Sequence, residues 1–177
     1  MDARNYNFPD KLKDGTSIRI RAIRADDKQR VLEAFRNLEA ESIRTRFFGY
    51  RGEPTDEELK AVTEVDFEKS VALVVTIPGR DGGETIIGAG RHILCGSQNP
   101  SSSAEIAFIV EEDYQGQGIA SKILNHLHGI AIKKGVERFE AEVLAHNKGM
   151  LAVFARSGLP MVKSFEENIV HVTLSLT

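Results

Sequence analysis

Hydrophobic and polar positions alternate in several short runs of this chain, and such alternation predicts half-buried β-strands. In the first run, residues 17–23, Ile18 and Ile20 alternate with arginines. Asp14-Gly15 marks a turn before this run, and residues 78–83 form a turn typical of a hairpin. Runs rich in β-branched residues predict further strands at residues 70–77, 85–94, 104–110 and 138–144, and one or two final strands at residues 162–176.

Apolar residues with helical spacing fill most of the intervals between these strands. The first helix is predicted to follow a cap at Asp26 or Asp27, and Thr55 begins another helix with an acidic first turn. The strongest periodicity lies at residues 118–134, where Gly135 ends the helix. The same reasoning predicts helices at residues 41–48 and 146–157.

The order of these elements predicts a single α/β domain of the α+β type, in which helices flank a mixed, mostly antiparallel central sheet. Antiparallel pairing is expected mainly before residue 104, and a βαβ unit is expected after it. At 177 residues, the chain is long enough for one domain with a substantial core. We interpret residues 1–14 as an N-terminal polar segment and residues 15–177 as the domain.

Charge and composition restrict the expected partners. The net charge of -3 gives no overall basic field, so no nucleic-acid partner is expected. The chain has no run of about 18 apolar residues, and the residues after Met1 lack the apolar segment of a secretory signal. We therefore expect no membrane association and interpret the protein as cytoplasmic. Cys95 is the only cysteine, and neither it nor the histidines have metal-ligand spacing, so no metal is expected.

The chemistry is expected at a glycine-rich turn between the strand at residues 104–110 and the helix at 118–134. Gly116 and Gly118 are separated there by one residue. Because glycines have no side chain, backbone N–H groups can approach a ligand, and the start of the helix adds the positive end of its dipole. A phosphate or pyrophosphate is the natural ligand of such a turn. The alternative is a tight turn into a packed helix that binds no ligand.

Two other phosphate-binding motifs fit this turn less well. A Walker loop needs Lys followed by Ser or Thr after its last glycine, and Ile119-Ala120 stand there instead. A dinucleotide-binding fingerprint places its first glycine almost directly after the strand, whereas residues 111–115 intervene here. Glu137 or Glu140 could still act as the ribose-binding acid, so a nicotinamide-dependent oxidoreductase stays an alternative.

The sequence Gln-Gly-Gln-Gly-Ile-Ala at residues 115–120 resembles the Gln/Arg-x-x-Gly-x-Gly/Ala signature of the GNAT superfamily of N-acetyltransferases. The resemblance covers nearly the whole chain from about residue 15, including residues 18–21 and Asn147 with the apolar helix that follows it. Residues 42–48 further resemble the bacterial protein-lysine acetyltransferase branch. The resemblance implies a GNAT-like fold, acetyl-CoA as co-substrate and an amine as acceptor.

The resemblance also implies where acetyl-CoA binds. Its pyrophosphate would contact backbone amides of the glycine-rich turn, and its pantetheine would run along the end of the preceding strand. The co-substrate-binding residues expected on this basis are Ile109, Val110, Gln115, Gly116, Gln117, Gly118, Ile119, Ala120, Asn147 and Phe154. Ile109 and Val110 could equally be core residues, and Asn147 could cap its helix.

Glu105 is the candidate catalytic base. An alkyl ammonium has a pKa of about 10.4, so the acceptor must lose a proton before it attacks the thioester. A carboxylate can accept that proton directly or through a water, and several members of the family have a glutamate at the matching position. The alternatives for Glu105 are a solvated side chain or one paired with Arg91, and His92 is a second candidate base. Arg44 and Arg46 would suit an acidic substrate or a CoA phosphate, unless they are simply solvated.

The general acid is not assigned by the sequence. Many relatives have a tyrosine in the region of Phe154 that protonates the leaving thiolate, and phenylalanine cannot do so. Tyr114 and Ser157 are the other candidate donors. The sequence therefore predicts an acetyl-CoA-dependent N-acetyltransferase, monomeric or homodimeric, that acts on a protein lysine or a small amine. A non-catalytic acyl-CoA sensor is the alternative that the missing tyrosine supports.

Overall fold

One eight-stranded sheet organises the chain, with the strand order β1-β2-β3-β4-β5-β6-β8-β7. A computed structural model describes residues 2–47, 51–79, 82–96 and 103–177. The strands are β1 (Asn7–Lys11), β2 (Ser17–Ala22), β3 (Ser70–Pro78), β4 (Glu84–Leu94), β5 (Ser103–Val110), β6 (Arg138–Leu144), β7 (Met161–Glu166) and β8 (Ile169–Ser175). The α-helices within the described residues are α1 (Lys28–Arg36), α2 (Ala40–Phe47), α3 (Asp56–Thr63), α4 (Ile119–Lys133) and α5 (Lys148–Ala155).

Among the strands that the structure describes, only β5 and β6 pair in parallel. They are connected through α4, so β5, α4 and β6 form the expected βαβ unit. The other six pairs are antiparallel. The predicted fold class, a mixed and mostly antiparallel sheet flanked by helices, is therefore confirmed.

An edge strand within the N-terminal polar segment was not predicted from the sequence pattern. β1 pairs antiparallel with β2 around a turn in which Gly15 has a φ of +89°. Its residues are mostly exposed because it lies at the edge of the sheet, so it lacks the apolar alternation of a half-buried strand. Residues 97–102, residues 80–81 of the predicted hairpin turn and Phe48 at the end of the predicted second helix lie outside the described residues.

The predicted helix caps are confirmed at Thr55 and corrected at Asp27. Thr55 and Glu58 exchange hydrogen bonds at the start of α3, from Glu58 N to Thr55 Oγ1 (3.1 Å) and from Thr55 N to Glu58 Oε1 (3.2 Å). Asp27 makes no side-chain cap bond to α1, which follows a single 3-10 turn at Ala25–Asp27. Its carboxylate instead accepts two hydrogen bonds from Arg21 (2.9 and 2.8 Å), inside the protein.

The two faces of the sheet are covered by different helices. α4 buries its apolar arc on one face, where a Cβ on Gly90 would lie 2.4 Å from Ile123 Cγ2 and 2.7 Å from Phe108 Cδ1. Residues of helices α1 to α3 line one cavity together with strand residues such as Ala107, which alternate with those facing α4, so these helices lie over the opposite face. None of the helices in the described residues is long and apolar enough to cross a bilayer.

His92 lies in the core on the α4 side of the sheet and has no exposed surface. Its ring centre is 5.7 Å from that of Phe139, and neither ring nitrogen has a hydrogen-bond partner among the described residues. Burial, followed by the charge of Lys134, lowers the pKa of His92 to about 4. His92 pairs with Ile106, so its side chain lies on the opposite face from Glu105 and cannot act as a second base beside it.

Replacing His92 with leucine is expected to reduce the loss of stability in acid. Because the folded protein binds this proton less tightly than the unfolded chain, the wild-type protein keeps its full stability above pH 6.5 and loses it as the pH falls toward 4. Between about pH 7.5 and pH 5, this loss should amount to about 2 kcal/mol, and the leucine variant should lack it. Urea unfolding at both pH values measures the difference, with His171→Gln as the control at a more exposed histidine. The same pH dependence in wild type and His92→Leu would contradict the prediction.

Candidate active site

β5 and β6 separate after a short stretch of pairing, and the opening between them is the centre of the candidate site. Their ladder joins only Ser103–Glu105 to Arg138–Glu140. Beyond it, β5 continues to Val110 and β6 to Leu144, and each is paired only with its other neighbour. The backbone groups of β5 that point toward β6 after Glu105 are therefore open to a ligand.

Glu105 occupies the last paired position before this opening. Its side chain is exposed and lies on the same face of β5 as Ala107 and Ile109. Glu140 stands directly beside it on β6. Within the described residues Glu105 forms no ion pair with Arg91, which leaves its carboxylate accessible to a substrate. Its role as the base stays a prediction.

A cavity of about 450 Å³ lies next to this opening, between helices α1–α3 and the sheet. Its walls are mainly apolar and include Val31 and Phe35 of α1 and Ala107 and Ile109 of β5. The volume falls in the range of small-molecule sites in proteins. Glu111 lines the cavity just beyond β5, and burial raises the pKa of its carboxyl group. Sequence reasoning missed Glu111, because its burial depends on the helices that fold over the sheet.

The turn between β5 and α4 presents a row of free backbone donors. Gly116 and Gly118 have φ angles of +80° and +85°, which glycine adopts without strain. Within the described chain, the N–H groups of residues 116–121 have no acceptor, and the first bond of the helix runs from Lys122 N to Gly118 O (3.0 Å). Because these N–H groups lie at the positive end of α4, the turn is suited to bind a pyrophosphate.

The edge hairpin brings a lysine to this turn, which the sequence pattern could not indicate. Lys13 Cε lies 3.9 Å from the position that a Cβ on Gly118 would occupy. An ion pair between Lys122 Nζ and Asp10 Oδ2 (2.9 Å) joins the first turn of α4 to β1. The charge of Lys13 therefore adds to the positive potential at the start of the helix.

The other predicted residues of the turn have two roles: some pack against the protein, and one fixes the position of the turn. Ile119 is buried in the core, whereas Gln117 and Ala120 are half-buried. Gln115 Nε2 donates to Val110 O (3.0 Å) and to Ser42 Oγ (3.4 Å), so this side chain holds the turn against the end of β5 and against α2. Val110 packs against the core, and Ile109 faces the cavity. Contacts of these residues with acetyl-CoA stay predictions.

Asn147 and Phe154 both have structural roles in α5. Asn147 Oδ1 accepts a hydrogen bond from Met150 N (3.2 Å) and caps the helix. Phe154 is 1% exposed, and its ring centre lies 6.1 Å from that of Phe108 in the core. Their expected contacts with acetyl-CoA stay predictions. Ser157 Oγ donates to Phe154 O (2.7 Å) and Tyr114 packs against the core, so neither is assigned as the general acid.

An open strand edge beside a βαβ unit and free amides at a helix start are the features that an enzyme needs to position a CoA thioester and hold its pyrophosphate. This arrangement fits the class of acyl-CoA-dependent transferases that the resemblance implies. The model of the acetyltransferase (GNAT) family matches residues 33–159. The chain belongs to this family and is an acetyl-CoA-dependent N-acetyltransferase.

Named relatives agree with this assignment. Acetyltransferase Pat of Mycolicibacterium smegmatis is 32% identical over 156 residues, which cover 88% of this chain and 45% of that protein. The crystal structure of the GNAT domain of S. lividans PAT matches with a TM-score of 0.87 and 32% identity, and the match covers 96% of each chain. A thialysine N-epsilon-acetyltransferase of Sus scrofa is 30% identical over 93 residues, which cover 52% of this chain and 55% of that protein. The chain thus spans about half the length of the Pat and thialysine relatives.

Proposed function

We propose that the protein transfers the acetyl group of acetyl-CoA to the terminal amine of a lysine-type chain, with Glu105 as the general base. The observation that carries this proposal is the exposed carboxylate of Glu105 at the point where β5 and β6 separate. The name of the Sus scrofa relative, an N-epsilon-acetyltransferase, supports a terminal alkyl amine as the acceptor. Such an amine sits on a slender chain that can reach a carboxylate from solvent or from the cavity.

Glu105 has the task of removing a proton from the acceptor. It accepts the proton from the ammonium group directly or through a water, because only the free amine is a nucleophile. The nitrogen then forms a bond to the acetyl carbon while the bond from that carbon to sulfur breaks. The acetylated nitrogen then releases its second proton to solvent, and the thiolate leaves and takes one proton from solvent. The products are the amide and the thiol of CoA, and Glu105 returns its proton to solvent, so the transfer balances without a dedicated general acid.

Backbone groups of the chain hold the co-substrate in this proposal. The free N–H groups of residues 116–121 would bind the pyrophosphate, and Lys13 would add charge beside them. The open edge of β5 beyond Glu105 would pair with the pantetheine. A strand N–H near Ile109 would stabilise the negative charge that develops on the carbonyl oxygen. Acetyl-CoA supplies the activated acetyl group.

Calorimetric titration with acetyl-CoA, followed by an assay of thiol release, tests this function. We expect saturable binding of acetyl-CoA, no saturable binding of NAD or ATP, and thiol release with lysine or a lysine peptide. Mass spectrometry should place the acetyl group on the terminal amine, and glycine, which has only an α-amine, should be a poor acceptor. Binding of acetyl-CoA without turnover on any amine would identify a sensor instead. Folded protein that does not bind acetyl-CoA would refute the transferase function.

A further inference from the structure

Two arginines line the otherwise mainly apolar cavity beside the opening. Arg46 comes from α2 and Arg91 from β4, and both side chains are half-buried. The pKa of Arg46 is lowered to about 10, mainly by burial and then by the charge of Arg91, while the charge of Glu105 acts in the opposite direction. The two guanidinium groups are therefore close enough to repel one another, and the charge of Glu105, the proposed base, also acts on Arg46.

The other charged groups around this cavity each have an ion-pair or hydrogen-bond partner, whereas Arg46 has, in the described part of the chain, only a ring contact, with its guanidinium carbon 4.9 Å from the centre of the Phe47 ring. Arg51 and Glu58 form an ion pair (2.6 Å), and Glu111 accepts a weak hydrogen bond from Asp113 N (3.5 Å). Arg44, the neighbouring arginine of α2, pairs with Glu41 (3.3 Å) outside the cavity.

Within residues 2–47, 51–79, 82–96 and 103–177, the guanidinium groups of Arg46 and Arg91 form no ion pair and no hydrogen bond. Two neighbouring cations in a mainly apolar cavity are unfavourable unless an anion neutralises them. The planar guanidinium group binds a carboxylate through two parallel hydrogen bonds, so a carboxylate is the anion that suits this pair.

The position of this pair relative to Glu105 indicates which molecule carries the carboxylate. Arg91 is paired with Ala107 across the β4–β5 ladder, and Glu105 lies two residues from Ala107 on the same face. Two residues of a strand span about 7 Å. An extended lysine has a comparable distance between its terminal amine and its carboxylate. One acceptor can therefore reach Glu105 with its amine while its carboxylate lies at the arginines.

We propose that Arg46 and Arg91 bind the α-carboxylate of a free diamino acid of the lysine type, whose apolar methylene chain lies along the cavity wall while its terminal amine is acetylated. This inference rests on the proposed function, because it takes Glu105 as the place of the reacting amine. A cavity of about 450 Å³ between helices and sheet suits such a small acceptor. An acidic side chain beside a lysine in a polypeptide could supply the same carboxylate, and the experiment below separates the two sources.

Lysine and cadaverine test the proposal, because they differ only in the carboxylate. We expect kcat/KM to be about 10–100-fold higher for lysine than for cadaverine or lysine amide, as a charged hydrogen-bonded pair would give. The ratio should fall toward one in Arg91→Gln and in Arg46→Gln. Arg19→Gln is the matched control, because Arg19 is an exposed arginine that lies outside this cavity and donates to Asn7 Oδ1 (3.0 Å). This control should keep the wild-type ratio.

Calorimetric titration of lysine, cadaverine and lysine amide into the protein with CoA gives a second readout that does not need turnover. Equal binding and equal turnover of lysine and cadaverine by the wild-type protein would overturn the inference. So would a preference for lysine that both arginine variants retain. The enzyme could instead prefer lysine peptides over free lysine, but only those with an acidic residue next to the lysine. That result would overturn the free amino acid as the acceptor and would show that a polypeptide supplies the carboxylate. Carboxylate-dependent binding without any turnover would support the arginine site and refute the proposed function alone.

Discussion

Glu105→Gln is expected to lower kcat by about 10²–10⁴-fold and to leave the affinity for acetyl-CoA nearly unchanged. Glutamine keeps the size of the side chain at the strand opening but cannot accept the ammonium proton. The free amides proposed to bind the co-substrate lie at residues 116–121, on a different element from Glu105. Steady-state kinetics with a saturating amine, together with calorimetry for acetyl-CoA, separates the two quantities.

Glu140→Gln is the matched control for this prediction, because Glu140 stands beside Glu105 on β6 and is also exposed. Its kcat should stay close to that of the wild-type protein. Full turnover of Glu105→Gln would exclude Glu105 as the base. If Glu111→Gln then lost activity, the base would be Glu111, which lines the cavity and has a raised pKa because it is partly buried.

Asp27→Asn is expected to lower the free energy of unfolding by about 3–5 kcal/mol, because it leaves a buried arginine without its main counterion. Asp27 has no exposed surface and Arg21 is 3% exposed. The carboxylate also accepts hydrogen bonds from Arg24 N (2.7 Å) and Arg30 Nη1 (3.0 Å). The loss should lie toward the lower end of this range, since Glu84 still pairs with Arg21 (3.1 Å).

Urea unfolding measures this effect, with Asp26→Asn as the control. Asp26 is adjacent in sequence but 73% exposed, and its pairs with Arg24 and Arg30 lie at the surface, so the control should change stability by less than about 1 kcal/mol. Similar stabilities of both variants would show that the buried pair is not a major stabilising contact.

The pH dependence of stability provides a second readout of the same ion pair. Burial by itself would raise the pKa of Asp27, but its bonds to Arg21 and Arg24 N hold the pKa below the ordinary value for aspartate. The stabilisation is therefore complete above that ordinary value and is lost as the pH falls through the lower pKa of the folded protein. Asp27→Asn should lack this acid-dependent component.

Local sequence patterns predicted most of the secondary structure, because helices, strands and helix caps depend largely on residues that are near one another in the chain. The alternation of Ile18 and Ile20 with arginines places two buried side chains on one face of β2, and Thr55 caps α3 as its sequence context indicates. β1 was missed because an exposed edge strand needs no apolar side. The sequence predicted a cap at Asp26 or Asp27. It could not show that Asp27 is buried against Arg21, because that contact depends on β2 passing beside the start of α1.

The candidate site also combines features that the local sequence predicts with features that depend on the tertiary structure. The glycine-rich turn and Glu105 were found from sequence, since a turn with positive φ and a charge in an apolar strand are local features. The cavity beside the opening was not found, because Arg46, Arg91 and Glu111 come from three parts of the chain that meet only when α1–α3 fold over the sheet. Lys13 reaches the turn through the edge hairpin for the same reason.

By itself, the sequence determined the fold class, the βαβ unit, the glycine-rich turn and the resemblance to an acetyltransferase family. Each of these depends on the spacing and type of residues that are close together in the chain. Only the tertiary structure decided that β5 and β6 separate after Glu105, that His92 lies on the opposite face, and that two arginines share one cavity. The physical reason is that strand register and helix packing arise from contacts between residues far apart in the chain.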